Sequence, residues 1–192
     1  MKKLLVLVML AFLGLGTANA QLTLGLKGGL NFATLSSLPS GTSNDGSRIG
    51  LVFGAYSRVK VPVIGIFVQP ELVFAQKGGK LSGGTTVIIN NLDIPIIIGK
   101  TFGPVRLGLG PVFGFPMTSK IEGSGVSVDV SDNTSSPLAG LQLALGLNLP
   151  AGLGLDLRYE LGLTKIYDNT GAFANNDTKT NAIQFTVSYK LF

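Results

Sequence analysis

The chain has 192 residues, with 15 basic and 10 acidic side chains, no histidine and no cysteine. Without cysteine there is no disulfide, thiolate chemistry or lipid-anchored cysteine, and without histidine there is no imidazole base or histidine-ligated metal. The charges are spread without runs, so the formal +5 leaves no nucleic-acid footprint.

The chain opens with the basic Met1-Lys2-Lys3, an apolar run from Leu4 to Gly16, and the small-x-small site Ala18-Asn19-Ala20. This pattern predicts a signal peptide over residues 1–20. Its thirteen apolar residues fall short of the roughly 17–25 needed for a membrane-spanning helix. Cleavage near Ala20 leaves one domain, residues 21–192, and removes Lys2 and Lys3, so that 13 basic face 10 acidic residues.

Beyond Gln21, apolar residues alternate with glycine, hydroxyl and charged residues. The clearest stretch is Leu153–Thr164, where every odd position is apolar. Period-two alternation is the strand signature, since successive side chains leave opposite faces. It predicts strands near 22–32, 48–60, 64–76, 85–100, 105–116, 138–149, 153–166 and 180–192, each long enough for the roughly 9–11 residues of a tilted membrane strand. The connections at 61–63, 101–104 and 150–152 are tight. Those at 33–47, 77–84, 117–136 and 167–179 are longer and rich in Gly, Ser, Thr, Asn and Asp.

Eight strands joined by alternating long and short connections predict an all-β fold, an eight-stranded antiparallel transmembrane β-barrel. Both chain ends then fall on the short-turn, periplasmic side. A soluble, lipocalin-type carrier with the apolar face inward is the competing architecture. Volume opposes it: Leu141, Leu143, Leu145, Leu147 and Leu149 share one face of one strand, and eight strands enclose a space that side chains barely fill. The opposite face carries glycines such as Gly29, Gly54, Gly110 and Gly146, which suit a cramped lumen. On the outward face, Phe32, Phe74, Phe115 and Tyr167 stand where an outer aromatic girdle belongs.

The inward parity collects Lys27, Arg58, Glu71, Asp93, Arg106, Asp156, Arg158, Glu160 and Lys190, with Gln69, Asn31, Asn91, Gln142 and Asn148 among them. Charges held this close must pair, because an unpaired buried charge costs several kcal/mol. A paired network predicts a plugged tube rather than an aqueous pore. Asp156 and Glu160 flank Arg158 on one strand face, which reads as a salt-bridge ladder and not as an acid/base pair. No catalytic, metal or cofactor residues emerge: the glycine pairs lack the helix of a phosphate-binding loop, and Asp129 and Asp132 are too loosely placed for calcium.

Taken in order, Gly25-Leu26-Lys27-Gly28-Gly29-Leu30-Asn31, Gln69-Pro70-Glu71-Leu72, Gln76-Lys77-Gly78, Leu92-Asp93-Ile94-Pro95, Leu109-Gly110-Pro111 and Leu155-Asp156-Leu157-Arg158-Tyr159 span nearly the whole mature chain. In this the chain resembles the PorT-like outer-membrane β-barrel proteins, often labelled simply "porin family". The resemblance implies an eight-stranded barrel in the outer membrane of a Gram-negative bacterium. It brings no catalytic or binding residues, and it attaches a role in secretion of surface proteins to only part of the family. The terminal Phe192 fits the signal read by the barrel-assembly machinery. Tyr189 stands one place further from it than usual, which places Phe192 beyond the last paired residue or requires a bulge.

The expected function is therefore a small closed barrel with a structural or loop-mediated role, since binding sits on loops carried by a rigid scaffold. Its partners are outer-membrane lipid and lipopolysaccharide, the assembly machinery, and an extracellular or secretion partner. A narrow porin is the second reading, and a lipid hydrolase or acyltransferase working without histidine is the third. Lys60, Lys100 and Lys190 gather at the periplasmic rim as solvated lysines.

Overall fold

The computed structural model describes residues 21–36, 44–61, 64–82, 84–123, 126–129, 137–166 and 178–192; the expected signal peptide lies outside them. The strands are β1 (Gln21–Ser36), β2 (Asn44–Gly46), β3 (Arg48–Lys60), β4 (Ile66–Leu81), β5 (Thr85–Phe102), β6 (Val105–Gly123), β7 (Val126–Asp129), β8 (Leu138–Asn148), β9 (Leu153–Gly162) and β10 (Lys179–Lys190). β2 and β7 are short additions pairing with β4 and β6. The other eight pair antiparallel with their neighbours, and β10 returns to β1, so the sheet closes on itself. Closure leaves none of the eight with an unpaired edge, the condition for strands to cross a membrane. No helix among the described residues is long and apolar enough to do so.

The alternation read from the sequence becomes the wall of the tube. On β8, Leu141, Leu143, Leu145 and Leu147 are exposed while Gln142 between them is buried. Such an apolar outer face belongs in lipid and rules out the inward-apolar, soluble arrangement. Phe32, Phe74 and Phe115 keep the outward parity. Phe53 stacks on Phe74 with centroids 5.0 Å apart, and Leu92 and Phe115 continue the row across β5 and β6. Tyr167 falls outside the described residues.

The short turns use the backbone their residues allow. In the two-residue β5–β6 loop, Gly103 takes a φ of 58° and Pro104 supplies its fixed φ. Ala151, in the turn before β9, is the one non-glycine with positive φ among the described residues. Within the wall, a Cβ at Gly29 would collide with the Phe185 carbonyl of β10, so only glycine permits that approach.

Two strands outrun their sequence boundaries. β4 continues through Gly78, at a φ of 125°, to Leu81, so most of the loop expected at 77–84 is strand. β6 continues past Pro116 because Met117 is an extra residue: Asn91 faces Pro116, but Asn90 faces Thr118. This bulge flips the parity, so Ser119 is buried where the even positions below it had been. The strand reaches Gly123 and β7 folds back on it, so the 117–136 segment begins as a β-ribbon. β9 is shorter than expected and ends at Gly162, and Ile166 turns into the interior.

Candidate functional site

The interior is layered along the barrel axis. Beneath the long connections, Leu35, Val87, Ile89 and Ile166 form a buried apolar cluster, flanked by Leu81 and Ile121. Below it lie the charges. Lys27, Glu71, Asp93, Arg106, Asp156, Arg158 and Glu160 are all buried in the tube. Arg58 is half-buried near the short-turn end, and Lys190 is exposed at the mouth and not part of the enclosed network. β10 ends there, with Lys190 paired to Gly25 of β1.

The residue that completes the network is Lys77, which the sequence reading left in a loop. Its ammonium is 2.9 Å from Asp93 and also bonds Glu160. The signal was present: Glu71, Val73 and Ala75 set an inward odd parity on β4, and Lys77 is its next member. The Gly78-Gly79 pair disguised it as a turn. With Lys77 in place of Lys190, the lumen holds five cations (Lys27, Arg58, Lys77, Arg106, Arg158) and four carboxylates.

Around the closed sheet, β4 and β9 are diametrically opposite, four steps apart in either direction. The main ion pairs span this diameter. Arg158 of β9 donates to both Glu71 oxygens on β4, at 2.6 and 3.0 Å, and Glu160 meets Lys77. Glu71 also accepts from Lys27 at 2.6 Å and from the Gln69 amide at 2.5 Å. Gln142 joins the two groups, accepting from Arg158 at 3.0 Å and donating to Glu160 at 3.4 Å. The ladder expected along Asp156, Arg158 and Glu160 is therefore a minor feature. Arg158 stays 3.9 Å from Asp156, while the carboxylate across the narrow tube offers a bidentate pair.

Toward the short-turn end, Arg106 bonds Asp156 at 3.0 Å and Asn148 through its other terminal nitrogen. Gly146 makes room for it, since a Cβ there would stand 2.6 Å from Arg106 Nη2. Arg58 donates to Gln69 at 2.5 Å and lies over the rings of Tyr56 and Phe67, 5.2 and 5.6 Å from their centroids. Among the described residues, each lumen carboxylate has a cation at ion-pair distance, and no group of three or more acidic, cysteine or histidine residues gathers to hold a metal. Opposite charges joined across the tube brace its wall.

At the chain end, the Leu24 carbonyl accepts from Leu191 N at 2.7 Å and Phe192 N at 3.4 Å, and Leu24 N donates to the Phe192 carbonyl at 3.2 Å. Two residues thus oppose one in a bulge-like pairing, with the exposed Phe192 ring beyond the strand.

The family described as "Outer membrane protein beta-barrel domain" matches residues 17–168. Among solved structures, Neisserial surface protein A is 13% identical, with a TM-score of 0.54, over 91% of this chain and 100% of its own. Ail, the attachment invasion locus protein of Yersinia pestis, solved with the heparin analogue sucrose octasulfate, is 15% identical with a TM-score of 0.50. It is covered over 99% of its length and 89% of this chain. At these identities the likeness is one of fold. No curated protein matches this chain.

Proposed function

The chain belongs to the outer membrane protein beta-barrel domain family, and from that premise we propose that it is a closed barrel whose outer ribbons and loops bind a partner at the cell surface. The observation that carries this reading is the interior. Its carboxylates are all paired, two of them with cations across the tube, and an apolar cluster of Leu35, Val87, Ile89 and Ile166 lies at its outer end. Those four side chains narrow the outer end with hydrocarbon, which disfavours the porin reading. Specific work is left to the surfaces beyond it, where β4–β5 and β6–β7 project as ribbons.

The test pairs conductance with cross-linking. In planar bilayers the purified barrel gives no conductance steps. In intact cells a photo-crosslinker within residues 124–136 captures a defined protein or glycan that one at the lipid-facing Leu143 does not. Reproducible steps that change when Arg106 or Glu71 is neutralised would reverse the assignment to a channel.

The narrower PorT-like resemblance belongs to the same proposal, with the surface partner a component of a secretion assembly. Unimpaired export of surface proteins in a deletion strain would remove that part. Lipopolysaccharide around the outer wall and the assembly machinery acting on Phe192 complete the proposed partners. Deleting Phe192 should then lower the amount of heat-modifiable barrel in the membrane, and an unchanged amount would dissociate Phe192 from assembly.

A further inference from the structure

Arg58 and Lys190 are two cations of the short-turn end that line the interior and that no carboxylate among the described residues matches. Neither has one within ion-pair distance among the described residues, whereas Lys27, Lys77, Arg106 and Arg158 each do. Both line a pocket of about 210 Å³ inside the wall, together with Arg106, Tyr56, Thr23 and Ser188. Leu149, Gly152 and Leu153 of the β8–β9 turn also line it, which places its opening at the periplasmic mouth.

The pocket is built rather than left over. Arg106, Tyr56 and Ser188 are buried there. Arg58 is oriented by two aromatic rings and by Gln69. Two glycines let its wall pack closely: a Cβ at Gly25 would stand 2.5 Å from the Tyr56 hydroxyl, and one at Gly154 would stand 2.5 Å from Ser188 Oγ.

We propose that this vestibule binds a small phosphate-class dianion from the periplasm. Two uncompensated cations match a dianion in charge. The Arg58 guanidinium beside the Lys190 ammonium and the Thr23 hydroxyl forms a donor set suited to tetrahedral oxyanions, while Arg106 and the Ser188 hydroxyl are held by Asp156 at the inner wall. The volume lies below the ~300–1,000 Å³ of pockets that enclose drug-sized ligands, which selects inorganic phosphate or a compact phosphomonoester. The source is a solute and not a lipid headgroup, because the pocket lies within the barrel and the strands separate it from the bilayer.

The mature barrel, refolded in a maltoside detergent that carries no phosphate, is titrated with inorganic phosphate at low ionic strength and followed by calorimetry. One saturable site is expected, with sulfate competing and chloride at matched ionic strength not. Arg58→Gln and Lys190→Gln each weaken binding by about ten-fold, and Arg58→Lys, which keeps the charge but loses the stacked fork, falls between wild type and Arg58→Gln. All variants keep the heat-dependent gel shift of the folded barrel, and Lys190, being exposed, gives a readout that does not depend on the core. Absence of saturable binding, equal displacement by chloride, or unchanged binding in the Arg58→Gln/Lys190→Gln variant would overturn the proposal. So would binding of dihexanoyl phosphatidic acid without any binding of phosphate.

Discussion

The two ends of the barrel interior are built from opposite materials. Toward the long-connection end, Leu35, Val87, Ile89 and Ile166 pack hydrocarbon into the tube. At the short-turn end, Arg58 and Lys190 face a polar pocket with no carboxylate of their own. Between them, Lys77, Asp93, Glu160, Arg158, Glu71 and Lys27 neutralise one another. The contrast teaches that a lumen lined by charged residues need not be a channel. Position along the axis decides what a charge does: mid-barrel charges hold opposite walls together, and those at the mouth remain available to a ligand.

The sharpest way to break this contrast is to remove the shared acceptor. Glu71→Gln leaves Lys27 and Arg158 buried without their anion, and the barrel should lose about 3–5 kcal/mol of stability, measured by reversible urea unfolding in detergent. A loss below about 1 kcal/mol would mean that water screens the network and that the middle is not dry. Next comes the outer seal. Ile89→Ala removes a fully buried side chain from the apolar cluster and should cost roughly 2–4 kcal/mol, read in the same assay. An effect near zero would show that the cluster is loosely packed. The smallest effect belongs to the mouth. Lys190→Gln should change stability by no more than about 0.5 kcal/mol, since the residue is exposed at the mouth. A loss as large as that of Glu71→Gln would erase the distinction between bracing charges and available ones.

Much of this architecture is legible along the chain because strand parity is local. Gln142 between Leu141 and Leu143, or Arg158 between Leu157 and Tyr159, reveals its face from its immediate neighbours. Parity loses its footing where the backbone departs from regular pleating. The bulge at Met117 reverses it on β6, and the glycine pair after Lys77 reads as the end of a strand that in fact continues. Lys190 marks the other limit of parity: it has the inward parity of β10 and lines the mouth pocket, but stands exposed beyond the paired charges.

Where the strands pleat regularly, the sequence by itself determined which residues enter the lumen and which meet lipid, since a period of two needs no knowledge of distant segments. Only the tertiary structure decided who meets whom inside. Arg158 and Glu71 are 87 residues apart, and nothing in either neighbourhood marks the other as its partner. They meet because eight strands, closed with this register, set β9 opposite β4 at a diameter that two side chains can span. Closure and stagger are properties of the whole sheet, so the pairing of charges, the apolar seal and the free cations at the mouth came into being only when β10 joined β1.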